Sequence, residues 1–268
     1  MSDVEEQTCR KVTAHEVDHY AEHGWVKLPG FLGRGLAARL LAMPRARMGD
    51  DGQGNAISPM QQPFFNPEAT HGARDPALRP LIEGIGANAR LLMQRREGLG
   101  VRYFGDMFAA KLPAASDTRH PGAGATYFHQ DFMNWALDRS GGMTFWIALD
   151  DLVPESGTMQ FFNGSHRLGA LGHYRTYGEG DILDDFPELL SRCTLSEPMS
   201  YAAGDATVHS NLTVHGSGEN RTTGPRWAYI AIANPADARW NGAPPEAFDT
   251  AGMTLHQQLD DERFPIIG

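Results

Sequence analysis

His129 and Asp131 stand two positions apart in the aromatic run Tyr127-Phe128-His129-Gln130-Asp131-Phe132-Met133-Asn134-Trp135. An imidazole and a carboxylate at that spacing could form one edge of a metal site. With 11 histidines and 33 acidic residues in 268, roughly one such pair arises by chance. Only His129 of the eleven has a carboxylate two positions on, so the pair carries meaning only with partners that folding brings to it.

Candidate partners lie in the last strand-like stretches. His215 ends the run Ala206 to His215, and His209, six positions upstream, shares its strand parity if that run is one strand. Two histidines and one carboxylate on one face are the ligand set of non-haem Fe(II) oxygenases, which keeps coordination positions open. In the segment RWAYIAIAN, alternation puts Arg226 on one face with Ala228, Ile230 and Ile232. If that face lines a barrel, the guanidinium needs an anion, and a carboxylate can take both of its arms. An exposed arginine at a strand start, and core or surface histidines, are the alternatives that spacing leaves open.

The elements that must position these residues divide the chain. Thr13-Ala14-His15-Glu16 has the form of a capping box, opening a short helix to Gly24, and Trp25 to Leu28 follows as a strand. Further helices are predicted at roughly Leu36 to Met43 and from Pro80 to about Arg96. Residues 49–66 and 174–192 read as long connections of the kind that form lids or binding loops. From about residue 100, short apolar segments alternate with Gly, Pro, Asn and Asp, which argues for antiparallel strands in a sandwich or barrel. The expected fold is mainly β with flanking helices, a jelly roll in one domain: a helical part at about 13–97, a core at about 100–235 and a tail at 236–268.

Composition narrows the function. A net charge of −10 without a basic patch argues against nucleic acid as a partner. Two cysteines, Cys9 and Cys193, are too few for a disulfide framework and fit a reduced, cytoplasmic setting. No signal-peptide core and no apolar run of spanning length is present, so no membrane is expected.

Taken together and in order, four segments resemble the phytanoyl-CoA dioxygenase family of Fe(II)/2-oxoglutarate-dependent oxygenases. They are the opening TAHEVDHYAEHGWVKLPGFL, the YFHQDF segment, SGTMQFFNGSH, and VHGSGENRTTGPR with its arginine eleven residues past the histidine. The resemblance implies a double-stranded β-helix (cupin-like) in which His129, Asp131 and His215 bind iron. It implies that Arg226 and Ser217 hold the distal carboxylate of 2-oxoglutarate, and that Trp146, Gln130, Met107 and Lys111 line the cosubstrate site. Phe128, Phe132, Trp135, Phe64 and Phe65 fall where a flat or greasy substrate would sit. His166 and His209 are expected to be structural neighbours rather than ligands.

The implied chemistry consumes O2, decarboxylates 2-oxoglutarate to succinate and removes hydrogen from an unactivated C–H bond. Hydroxylation is the default outcome, with epimerisation, cyclisation and desaturation as variants. Related halogenases have Gly or Ala in place of the carboxylate ligand, so the presence of Asp131 argues against halogenation. An acidic chain is a poor host for coenzyme A phosphates, which favours tailoring of a natural product. An amino-acid, osmolyte or acyl hydroxylase is the alternative within the class, and a jelly-roll binding protein without turnover is the alternative outside it.

Overall fold

The computed structural model describes residues 8–54, 66–94, 99–116, 124–172, 180–245 and 248–268, with the backbone alone at 66–69. Phe64 and Phe65, and part of both long connections, lie outside the described residues.

The helices form where their ends and apolar stripes dictate. The first, α1 (Ala14–His23), is closed by the reciprocal Thr13–Glu16 capping box and ends at Gly24, whose φ of 79° suits glycine. It leads into β1 (Trp25–Leu28). The second helix, α2 (Arg34–Met48), runs past the expected stop at Met43 and through Pro44. Leu36, Leu40, Pro44 and Met48 recur at intervals of four and are all buried, so packing of that stripe outweighs the lost backbone bond. After β2 (Asn66–Thr70), α3 (Arg79–Leu92) begins with Pro80 in its first turn and buries Leu81, Ile82, Ile85, Ala89 and Leu92.

The remaining strands are β3 (Val101–Lys111), β4 (Thr126–His129), β5 (Met143–Ala148), β6 (Met159–Phe161), β7 (Ala206–Ser210), β8 (His215–Ser217) and β9 (Arg226–Pro235). They form a six-stranded sheet in the order β1-β7-β5-β9-β3-β2 and a three-stranded sheet in the order β4-β8-β6, with every pairing antiparallel. Alternation sorts the larger sheet's side chains. Phe145, Ile147, Trp227, Tyr229 and Ala231 join the helices in the main core. On the other face Trp146, Ala148 and Ala228 pack against Met159 and Phe161 of the smaller sheet, closing the jelly-roll interior.

One strand expectation needs correcting. Ala206 to His215 is two strands in different sheets: a turn in which Thr213 N–H donates to Ser210 C=O at 2.9 Å carries the chain across. His209 and His215 therefore meet across the interior rather than along one strand. The tail past Pro235 folds back onto β3, where the buried Arg102 guanidinium donates to the carbonyls of Ala236 and Phe264 and to Asp261.

Candidate active site

At one end of the interior three donors converge. His129 ends β4 and His215 begins β8, paired across the small sheet with ring centroids 4.3 Å apart. Asp131 opens the 3-10 turn Asp131–Asn134 directly after β4. Its Oδ1 stands 3.5 Å from His129 Nε2 and 3.7 Å from His215 Nε2, too long for good hydrogen bonds. One ligand atom from each of the three lies within 4.8 Å of the others. Each imidazole is oriented from behind: Nδ1 of His129 meets the Tyr127 carbonyl at 2.7 Å, and Nδ1 of His215 meets the Thr213 carbonyl at 2.9 Å. With the proton held on Nδ1, both Nε2 lone pairs point at the common centre.

The electrostatics suit a cation there. Burial, then the neighbouring His209 and His129, hold the His215 imidazole well below its ordinary pKa, which keeps it neutral and able to donate a lone pair. Burial alone would raise the Asp131 carboxyl. The surrounding histidines outweigh it and hold the group ionised, well below the usual carboxylate range. Two imidazole nitrogens and one carboxylate oxygen fit a divalent iron with open positions.

The second half of the site lies two residues along β8, at Ser217, a rise of about 7 Å. Lys111, at the end of β3, donates from Nζ to Ser217 Oγ at 2.7 Å and to Thr126 Oγ1 at 3.3 Å. Arg226, its register partner on β9, donates from Nη1 to the Gly157 carbonyl and lies 5.1 Å over the Trp146 ring. Both cations are buried, and among the described residues neither pairs with a carboxylate. Arg226 Nε is buried without a partner. Burial lowers the Arg226 guanidinium to about 10, and burial followed by the Arg226 charge holds the Lys111 ammonium well below its usual range. A pair of desolvated cations with an orphaned N–H fits an anionic carboxylate from outside the chain.

The other expected site residues are placed less uniformly. Met107 is half-buried on the interior face of β3, in register with Ile230, and Phe132 is half-buried in the turn behind Asp131. Gln130, expected at the cosubstrate, has its amide consumed elsewhere. It donates to the carbonyls of Gly169 and Leu212 at 2.9 and 2.6 Å and accepts from Leu171 N–H at 2.8 Å. Its role is to tether two loops behind the HxD segment. Phe128 packs on Phe162 at 5.2 Å, in a cluster with Ile182, Leu189 and Val214 on the outer side of the small sheet, because alternation sends it away from His129. Trp135 is buried with Phe104, Leu137, Leu259 and Phe264 under the tail instead of lining open space. His166 lies away from the three ligands, its Nδ1 against Gly24.

Sequence reasoning missed three neighbours. Thr144 Oγ1 donates to Asp131 Oδ2 at 2.8 Å, and Tyr201 packs edge-on to Trp146 at 5.3 Å. The turn residue Asn220 donates to the Lys111 and Gly224 carbonyls. Thr144 was accessible from alternation with Trp146, whereas Tyr201 comes from a loop whose path only the fold sets.

A family model described as phytanoyl-CoA dioxygenase matches residues 90–228, just over half of the chain, including His129, Asp131, His215, Lys111, Ser217 and Arg226. The chain belongs to the phytanoyl-CoA dioxygenase family. No curated protein matches the sequence. The fold is shared with the α-ketoglutarate-dependent carbocyclase SnoK from nogalamycin biosynthesis, at a TM-score of 0.75 and 22% identity over 96% of this chain and 97% of that one. The epimerase SnoN in complex with Fe3+, α-ketoglutarate and nogalamycin RO superposes with a TM-score of 0.73 at 23% identity, covering 95% and 98%. EctD from S. alaskensis with 2-oxoglutarate and 5-hydroxyectoine gives 0.64 at 19%, covering 89% and 83%. Among the described residues no helix is long and apolar enough to cross a membrane.

Proposed function

We propose that the chain is a cytoplasmic, single-domain Fe(II)- and 2-oxoglutarate-dependent oxygenase that tailors a small natural-product intermediate. The observation that carries this reading is the pairing of two incomplete sites on one interior face: three ligands arranged for a metal, and the buried cations Lys111 and Arg226 one ligand's reach away. When bound, iron, 2-oxoglutarate and O2 supply the oxidising power for removing hydrogen from an unactivated C–H bond.

The residues of the chain do the rest. His129, Asp131 and His215 hold the metal, with the backbone carbonyls of Tyr127 and Thr213 fixing the imidazoles before it arrives. Arg226 takes the distal carboxylate of the cosubstrate, with Lys111 and Ser217 beside it and Trp146 as the platform under the guanidinium. The low-dielectric interior strengthens that charge pairing. Met107, Phe132 and Ile230 supply apolar wall, which favours a substrate with little charge near the reacting carbon.

The natural-product assignment is supported by the overall likeness to SnoK and SnoN and by the acidic charge of the chain, which disfavours coenzyme A thioesters. An amino-acid or osmolyte hydroxylase is the second reading, favoured by the likeness to EctD. Succinate formation with Fe(II), 2-oxoglutarate and O2 tests both. Stimulation by polycyclic aromatic polyketides but not by zwitterionic osmolytes supports the first, and the reverse overturns it. No succinate under any condition, from folded protein, supports a binding protein instead.

A further inference from the structure

The two oxygens of Asp131 have different surroundings. Oδ1 faces the two ligand imidazoles. Oδ2 faces Thr144 Oγ1 at 2.8 Å and His209 Nε2 at 3.3 Å. Thr144 and His209 are register partners on the adjacent strands β5 and β7, so the sheet presents both donors to the same atom. His209 is 1% exposed and held between rings, 4.0 Å from His215 and 5.4 Å from Phe161 by centroid. Its Nδ1 is buried with no partner. A proton on Nδ1 would be a buried donor without an acceptor, whereas one on Nε2 meets Oδ2, so the ring is an Nε2–H donor.

We propose that His209 is a positioning residue which, with Thr144, keeps Asp131 coordinating through one oxygen. The assignment rests on the metal reading of His129, Asp131 and His215. A carboxylate free to turn can offer both oxygens and fill a second coordination position. Two donors on Oδ2 fix its plane and leave Oδ1 alone for the metal, preserving the vacancies that a chelating cosubstrate and oxygen require. His209 is thus not a fourth ligand. It faces the oxygen turned away from the centre, and the group of mutually close ligand atoms among the described residues does not include it.

The test uses Co(II) as an anaerobic, spectroscopically visible probe on metal-free protein, with affinity measured by chelator competition and coordination number by d–d band intensity. The parent comes first: failure to bind one Co(II) overturns the metal reading itself. His209→Phe keeps a ring against Phe161 but removes the donor, and His209→Gln keeps a donor. The expected result is a roughly 10- to 100-fold loss of Co(II) affinity in His209→Phe, with changed band intensity, and near-parent behaviour in His209→Gln. Parent affinity and spectrum in His209→Phe overturn the proposal, as does an equal loss in both variants, which would show that shape rather than donation matters. If His209→Phe does not fold, Thr144→Val removes the other donor with little change of shape, and an unaltered Co(II) spectrum there refutes the clamp.

Discussion

Replacing Arg226 by Met should move two quantities in opposite directions. The guanidinium is 4% exposed, pairs with no carboxylate among the described residues, and is lowered from its ordinary value to about 10 chiefly by burial. That shift corresponds to a penalty of roughly 3 kcal/mol on the cation in the absence of an anion, at about 1.4 kcal/mol per pKa unit. A carboxylate gripping both arms gains two charge-assisted hydrogen bonds, each worth roughly 1.5–3 kcal/mol. Lys111 remains beside the vacated position and is relieved of its neighbour's charge, which offsets part of the loss. A net cost of about 3 kcal/mol, or roughly a hundredfold in 2-oxoglutarate affinity, is expected for Arg226→Met. The metal-free, cosubstrate-free protein should melt no lower than the parent, because an unpaired buried cation has been removed. Anaerobic titration of the Fe(II) protein, followed by the visible band of the chelate, measures the first quantity and calorimetry the second. A dicarboxylate-to-monocarboxylate preference that survives in the variant, with affinity within threefold of the parent, would refute the role given to Arg226.

Other perturbations follow from particular contacts. A Cβ on Gly216 would lie 2.9 Å from Thr126 O and 3.1 Å from the Phe128 ring. Gly216→Ala should therefore pry β4 from β8 and weaken metal binding about tenfold or more while circular dichroism stays that of the parent. Gly24 has φ of 79° and a Cβ there would overlap His166 Nδ1 and stand 2.6 Å from Thr213 Oγ1, so Gly24→Ala should cost about 2–4 kcal/mol in urea unfolding. Lys111 titrates below its usual 10.5 in the folded chain and near it when unfolded. Between those values the unfolded state binds more protons, so the stability of the ligand-free protein should rise with pH toward 10.5. Lys111→Met should flatten that slope, and an unchanged slope by thermal melts across this range would contradict the buried cation.

The residue types of the site, and the class of fold that carries it, are legible in the sequence. His129, Asp131, His215 and Arg226 stand out only through the ordered set of segments that resemble the family, since spacing alone leaves other readings open, while strand alternation is strict enough to place Arg226, Ala228 and Ile230 on one face. The capping box of α1 and Pro80 of α3 are likewise local signals, because a helix end is satisfied by residues within one turn of it. The course of α2 through Pro44 was not legible, since a buried stripe of packing outweighed a local penalty. The resemblance implies Gln130 and Trp135 at the site, with Phe128 at its mouth, yet their side chains leave it for loops, the outer side of the small sheet and the tail. The run from His209 to His215 carries a turn signal in Ser210-Asn211 between strand-forming neighbours, and the meeting of two sheets is what makes the chain break there. Sequence by itself determined which groups can do chemistry. The tertiary structure decided which of them share a centre, and which oxygen of Asp131 is left for a metal, because those are distances between strands that no local pattern encodes.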